Sequence, residues 1–317
     1  LDVKDIKNIS VIGAGMMGHG IAQIFATRGY NVTLLDISFD LLARAIENIR
    51  SNLTLMAQNG IGYQQEVDRS IKRIKTTLDL EEAASQAQFV VEAISENLEL
   101  KQKTFQDLDR LCAPEVTLAT NTSVISITEI AQKAKNRMRI VGTHFWNPPY
   151  LIPLVEVVRG KETSPPVMDL VFTLLKSVGK HPIRVQKDVP GFVGNRLQHA
   201  LWREAISIVE NGIADPDTVD EAIKHGFGMR LPVLGPLENA DMVGLDLTLA
   251  IHDYIFKHLE DSSKPSPLLK ERVEKGDLGF KTGQGFYPWT KQKTEEVRKR
   301  FLEHLLKWTK EHSETSG

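Results

Sequence analysis

Residues 8–36 read NISVIGAGMMGHGIAQIFATRGYNVTLLD. A short β-branched run over 8–12 leads into Gly13-Ala14-Gly15-Met16-Met17-Gly18, a helical pattern runs over 15–27, and a second strand-like run covers 31–36. Three glycines in six residues arise often by chance and alone mean little. Their setting is more specific: strand, glycine turn, helix, strand, then Asp36 at 18 residues past Gly18. There Gly13 allows the tight turn, Gly15 lets the backbone approach a pyrophosphate, and Gly18 permits close helix–strand packing. The free N–H groups and positive dipole end of the helix then face the phosphates. A carboxylate at Asp36 accepts both ribose hydroxyls and repels a 2′-phosphate, and Ile37 and Ser38 supply no compensating arginine. These features predict an NAD site with Gly13, Gly15, Met16, Met17, Gly18 and Asp36 at the cofactor. The bland alternative is a structural glycine turn beside a solvated aspartate.

The same alternation continues to about Gln186. Helical stretches are expected at 39–58 and 64–74, where Leu42, Ala45, Ile46, Ile49 and Leu53 recur at helical spacing. Further strands are expected at 89–94, 117–121, 140–145, 154–158 and 183–186, with helices at 98–111, 126–134 and 166–177 between them. Parallel strands need such crossovers, so the pattern predicts an α/β Rossmann domain: a doubly wound, mostly parallel sheet with a helical arm after its second strand. The pattern changes at 187–191, KDVPG, where Pro190 and Gly191 provide a break. Beyond it strand signals nearly vanish, and 192–211, 217–225, 243–259 and 266–274 read as helices. A charged helix is expected over 290–308, with the last several residues frayed. The expected organisation is a dinucleotide-binding domain over 1–188 and an all-α C-terminal domain over 189–317.

Composition narrows the function. At 317 residues the chain is long enough for two domains with buried cores. A net charge of −2, with 41% hydrophobic and 25% charged residues, gives no electrostatic reason to expect nucleic acid or an anionic membrane as partner. Cys112 is the single cysteine, so neither an intrachain disulfide nor a cysteine-based metal site can form, and no metal is expected. Apolar runs fall well short of the roughly 18 residues that suggest a membrane span. The N-terminal LDVKDIKNIS lacks the apolar core of a secretory signal and carries acidic residues that a transit peptide avoids. A soluble, cytoplasmic protein is expected.

Periodicity singles out no catalytic base among nine histidines, and His181, in a GKHP turn, reads as a loop residue. Around His144 the sequence says more. Residues 142–160, GTHFWNPPYLIPLVEVVRG, resemble the signature of the L-3-hydroxyacyl-CoA dehydrogenases. The likeness spans almost the whole chain: GAGMMGHGIA at 13–22, VVEAISENLELK at 90–101, ATNTSVISIT at 119–128, DVPGFVGNR at 188–196 and KTGQGFY at 281–287. It implies NAD-dependent oxidation of an L-3-hydroxyacyl-CoA in fatty acid metabolism, and a homodimer formed through the helical domain. It also places the catalytic histidine and its carboxylate at His144 and Glu156, and the substrate-contacting pair at Ser123 and Asn195. Glu96, Lys101, Asn121 and Asn147 match positions that contact or order the cofactor and active site.

Chemistry suits these types to these places. Oxidising a secondary alcohol requires a base for the hydroxyl proton while hydride leaves the same carbon, and a neutral histidine can be that base. A buried glutamate fixes the ring's tautomer and stabilises the imidazolium, and a serine hydroxyl and an asparagine amide can hold the substrate oxygen. Blander roles stand beside these. Glu156 lies in LVEVV, where an unpaired carboxylate would cost several kcal/mol, so a structural ion pair is one alternative. Ser123 reads equally as a helix cap, and Asn195 as a structural residue. Relatives of the family serve as lens crystallins, so a non-catalytic NAD-binding protein is another alternative, although His144 and Glu156 are both intact.

Two departures bear on substrate. Relatives that use CoA thioesters carry a lysine-rich run on the arm, whereas residues 53–60 here read LTLMAQNG, with Arg44 and Arg50 before and Lys72, Arg73 and Lys75 after. The double proline of HFWNPPY and the GMRLPVLGP at 228–236 resemble the branch of gulonate and carnitine dehydrogenases, whose substrates are small and free of CoA. On that reading Arg230 is a clamp for a free carboxylate; the plain alternative is a surface arginine.

Overall fold

The computed structural model describes residues 2–313. β1 (Asn8–Ile12) passes through the glycine turn into α1 (Gly18–Thr27), and β2 (Asn31–Leu35) returns beside β1. The arm, α2 (Phe39–Gln58) and α3 (Gln64–Lys72), leads to β3 (Ile74–Thr77), α4 (Leu80–Ser85) and β4 (Phe89–Glu92). Then come α5 (Leu98–Leu111), β5 (Thr117–Thr120), α6 (Ile127–Ile130), β6 (Ile140–Phe145), β7 (Leu154–Val158), α7 (Pro165–Ser177) and β8 (His181–Val185).

All eight strands form one sheet in the order β3-β2-β1-β4-β5-β6-β7-β8. Every neighbouring pair is parallel except β6 and β7. The order reverses between β1 and β4, which opens a crevice at the carboxyl ends of those strands, beside the glycine turn. Alternation of side chains across the sheet builds a core on each face. Ile9, Val11, Val91 and Ala119 pack with Phe25, Leu42 and Val171 on one face; Ile12, Val90 and Leu118 pack with Phe105, Leu108 and Ile127 on the other. Each such fully buried Ile, Leu or Phe contributes roughly 1.5–3 kcal/mol. The antiparallel step has a local consequence: it sets His144 directly opposite Glu156.

The remaining helices are α8 (Gly194–Glu210), α9 (Pro216–His225), α10 (Pro236–Val243), α11 (Leu245–Ile255), α12 (Pro267–Glu274) and α13 (Lys291–Ser313). The chain divides into two compact units, Leu1–Asn195 with Phe301–Gly317, and Arg196–Arg300. In the second unit α9 to α12 contain no buried residue, and Leu237, Met242, Leu245, Leu249 and Tyr254 are exposed. Among the described residues no helix is long and apolar enough to cross a membrane.

Several expected boundaries move. The helix expected from residue 15 begins at Gly18, because residues 15–17 form the turn itself. The helix expected over 64–74 ends at Lys72, and Ile74–Thr77 is a strand on the sheet's outer edge. Its pairing with β2, Val32 opposite Ile74, is a non-local contact that period-3.6 counting overruns. The short α4 also goes unread. His181 is the first residue of β8 rather than a loop residue, pairing with Leu154. Pro182 disguised that strand start; β8 is an edge strand, where a missing N–H is tolerated. Residues 126–134 split into α6 and a 3₁₀ turn, Ala131–Lys133. The long helix starts at Gly194, not residue 192, because Phe192 has φ 48°. The helix expected over 243–259 is α11, which starts at Leu245 after Gly244, φ 104°, and ends at Ile255, while α10 before it goes unread. α13 runs past the expected end at residue 308 to Ser313, and the remaining residues expected to fray lie outside the described residues.

Candidate active site

The glycine turn has the geometry its three tasks require. Gly13 has φ 102°, and a Cβ there would stand 2.6 Å from the Ala93 carbonyl oxygen. A Cβ on Gly18 would stand 1.8 Å from the Gly13 carbonyl oxygen, inside van der Waals contact. At Gly15 a Cβ would meet no protein atom within 4 Å, so its bare backbone borders open space that a side chain would occupy and a pyrophosphate can use. Met16 is exposed, whereas Met17 packs against the core. The Asp36 carboxylate accepts the Ala14 N–H and the Ile37 N–H, each at 2.6 Å. Two backbone donors thus hold it at the turn. The residues present fit the adenosine half of NAD.

His144 and Glu156 form a buried pair, with His144 Nδ1 2.7 Å from Glu156 Oε2. Glu156 is fully buried and His144 is 5% exposed. The other carboxylate oxygen accepts the Val193 N–H at 2.9 Å and the Gly194 N–H at 3.0 Å. Burial pushes the Glu156 carboxyl up, but the hydrogen bonds from His144, Gly194 and Val193 outweigh it and hold the group below its ordinary value. An ionised carboxylate is acceptor-only, so Nδ1 donates to it, and in the neutral ring the lone pair is on Nε2. The rings of Trp146 and Phe192 flank the imidazole, at centroid distances of 5.3 and 5.7 Å. Gly194 sits against Trp146: a Cβ there would stand 2.4 Å from Trp146 Cζ2.

The next residue, Asn195, donates from Nδ2 to the Ser123 carbonyl at 3.1 Å. Ser123 in turn donates its N–H to Glu96 at 3.0 Å, and Thr122 Oγ1 and the Val124 N–H bond the same Glu96 oxygen. Ser123 does not cap α6; Ser126 does, with Asp188 accepting from the Ser126 hydroxyl and from the Ile127 and Thr128 N–H groups. Lys101, fully buried, pairs with Glu92 at 2.7 Å and Glu96 at 3.3 Å. Burial raises the Glu96 carboxyl, and Thr122, Lys101 and the two N–H groups more than offset it, leaving it below the usual carboxylate range. Asn121 Oδ1 accepts the Phe145 N–H at 2.9 Å, tying the end of β5 to the residue after His144. One continuous network therefore runs from His144 through Glu156, Gly194–Asn195, Ser123 and Glu96 to Lys101.

Sequence reading missed Glu92, Thr122 and Asp188. Glu92 carried the same signal as Glu156, a carboxylate within an apolar run, FVVEAI. Asn147 is exposed on the connection after β6. Arg230 is exposed in the second unit and forms no ion pair among the described residues. The arm stretch 53–60 lacks a cation of its own, but the Lys310 side chain lies over Gly60, its Nζ 3.1 Å from where a Cβ would stand.

Fold and site together define a doubly wound, dinucleotide-binding dehydrogenase. Residues 8–189 match the family model of the 3-hydroxyacyl-CoA dehydrogenase NAD binding domain, and residues 191–289 match that of its C-terminal domain. The chain is 41% identical over 286 residues to a probable 3-hydroxybutyryl-CoA dehydrogenase of Bacillus subtilis, covering 90% of this chain and 98% of that protein. The crystal structure of 5-formyl-3-hydroxy-2-methylpyridine 4-carboxylic acid 5-dehydrogenase, an NAD-dependent dismutase, superposes with a TM-score of 0.88 at 32% identity, covering 95% and 96%. That of (S)-3-hydroxybutyryl-CoA dehydrogenase from Ralstonia eutropha gives 0.77 at 36% identity, covering 90% and 100%. The chain belongs to the 3-hydroxyacyl-CoA dehydrogenase family and is an NAD-dependent oxidoreductase of that family.

Proposed function

We propose that this enzyme oxidises the secondary alcohol of an L-3-hydroxyacyl-CoA to the ketone, with His144 as general base. The buried His144–Glu156 pair carries this reading. Nε2 takes the hydroxyl proton, and Glu156, held by two further backbone donors, stabilises the imidazolium that results. Bound NAD supplies the hydride acceptor. Ser123 and Asn195, joined by a hydrogen bond, hold the substrate oxygen as its charge changes.

A second reading, a small free hydroxy acid clamped by Arg230, is favoured by two observations. Residues 53–60 carry no cation, and the dehydrogenase of a pyridine carboxylate superposes more closely than the thioester enzyme. Comparing kcat/KM for 3-hydroxybutyryl-CoA, free 3-hydroxybutyrate and pyridine carboxylates separates them. Undetectable thioester turnover refutes the first reading; a clear thioester preference refutes the second. On the second reading Arg230→Ala raises KM for the acid strongly, and on the first it changes KM little.

The exposed apolar side chains of α10 and α11 support a homodimer, since helices must bury such a face against something. Light scattering on the purified protein tests it; a monomer at micromolar concentration refutes it.

A further inference from the structure

The connection between β6 and β7, residues 146–153, joins the strand of His144 to the strand of Glu156 and carries Asn147. Its inner side rests on α1: a Cβ at Gly20 would stand 2.5 Å from Pro149 Cγ and 3.3 Å from Tyr150 Cδ1. Within the turn, the Leu151 and Ile152 N–H groups both donate to the Pro148 carbonyl. The Pro149 and Ile152 carbonyls of the same turn are both taken by one side chain. Lys180, in the loop between α7 and β8, donates from Nζ to Pro149 O and, at 3.0 Å, to Ile152 O. The His181 N–H adds a bond to Pro153 O at 2.9 Å.

This is an unusual place for a lysine. Among the described residues no carboxylate pairs with it, and the neighbouring charge is another cation, Arg28 at the end of α1. Tyr150, the titratable side chain on the connection, is held above the ordinary phenol value by burial and stays neutral. His181, next in sequence, is exposed. A partly buried amine without a counterion is disfavoured relative to an apolar side chain of similar length unless its donors are needed. The need is visible in the two carbonyls.

We propose that Lys180 is a positioning residue for the reaction: by holding the Pro149 and Ile152 carbonyls it fixes the β6–β7 connection, and with it Asn147, against α1 and beside the His144–Glu156 pair. Burial, and then the Arg28 charge, push its amine down to about 7, so the donors are those of a full ammonium below that pH and weaken above it. The kinetic consequence rests on the catalytic reading of His144; the structural one does not.

Amide hydrogen exchange of residues 146–152, corrected for intrinsic pH dependence and measured without substrate, tests the clamp. Protection in the wild type should fall at least threefold from pH 6 to 8.5. Lys180→Met should be about fivefold less protected at pH 6 and show no pH step. His144→Gln should keep the wild-type step, which separates Lys180 from the catalytic histidine whether or not His144 is the base. Arg28→Gln, which leaves Lys180 in place, should move the midpoint to higher pH and reads the idea even where Lys180→Met fails to fold. In turnover, Lys180→Met should lower kcat at least tenfold at pH 6.5 with KM for NAD within threefold. Wild-type protection in Lys180→Met, or an absent pH step in the wild type, overturns the clamp. A loosened segment with unchanged kcat overturns the positioning role.

Discussion

Replacing Glu156 by glutamine changes one atom and sets two requirements against each other. The carboxylate accepts three hydrogen bonds on two oxygens, from His144 Nδ1 on one side and from Val193 and Gly194 N–H on the other. Glutamine has one acceptor oxygen. Turned toward His144, it presents its NH₂ to two backbone N–H groups, and two orphaned buried donors cost roughly 1–3 kcal/mol each, or about 2–6 kcal/mol together. Turned toward the backbone, it keeps those bonds and presents the NH₂ to His144 Nδ1, which must then accept. The second arrangement is favoured. It moves the ring proton to Nε2 and removes the lone pair that would take the substrate proton. The expected loss is about 10²- to 10⁴-fold in kcat, with NADH affinity unchanged. Loss of the charged acceptor should also lower unfolding stability by about 1–3 kcal/mol. Steady-state kinetics at saturating NAD across pH, with urea unfolding on the same samples, reads both. If folded Glu156→Gln keeps kcat within threefold of wild type, Glu156 does not set the tautomer of a catalytic base.

The depressed Glu156 carboxyl contributes stability that is present above its unfolded value and lost as pH falls through its folded value. Urea midpoints between pH 5 and 3 should therefore fall less steeply in Glu156→Gln; equal slopes would show that the pair is not linked to acid unfolding. His144→Gln should lower kcat by about 10²- to 10⁴-fold with little change in NADH affinity, and near-normal turnover would point to another base. Gly18→Ala puts a methyl 1.8 Å from a backbone oxygen, so NADH binding by titration should weaken at least tenfold; wild-type affinity would contradict the turn geometry. With Asp36 at the ribose position, kcat/KM should favour NAD over NADP by at least about tenfold, or 1.4 kcal/mol, and parity would refute that role for the carboxylate.

Local sequence determined the order of elements through β2 and most strand positions, because glycine turns and β-branched runs act over a few residues. Gly13, Gly15, Gly18 and Asp36 were legible for that reason: turn, cradle and carboxylate lie within one βαβ unit. Glu156 announced a partner by lying in an apolar run, yet the run did not say which partner. His144 is 12 residues away, and only the antiparallel pairing of β6 with β7 puts the two side by side. β3 was hidden because its pairing with β2 is non-local, and α10 because its eight residues bury no side chain that would mark a helical face. The tertiary structure alone decided that Lys101 has a buried counterion in Glu92, that Asp188 accepts from the first-turn N–H groups of α6, and that Lys180 holds the Pro149 and Ile152 carbonyls. Buried polar groups must find partners wherever the fold places them, and those partners here stand 9, 60 and about 30 positions away, beyond the reach of local pattern.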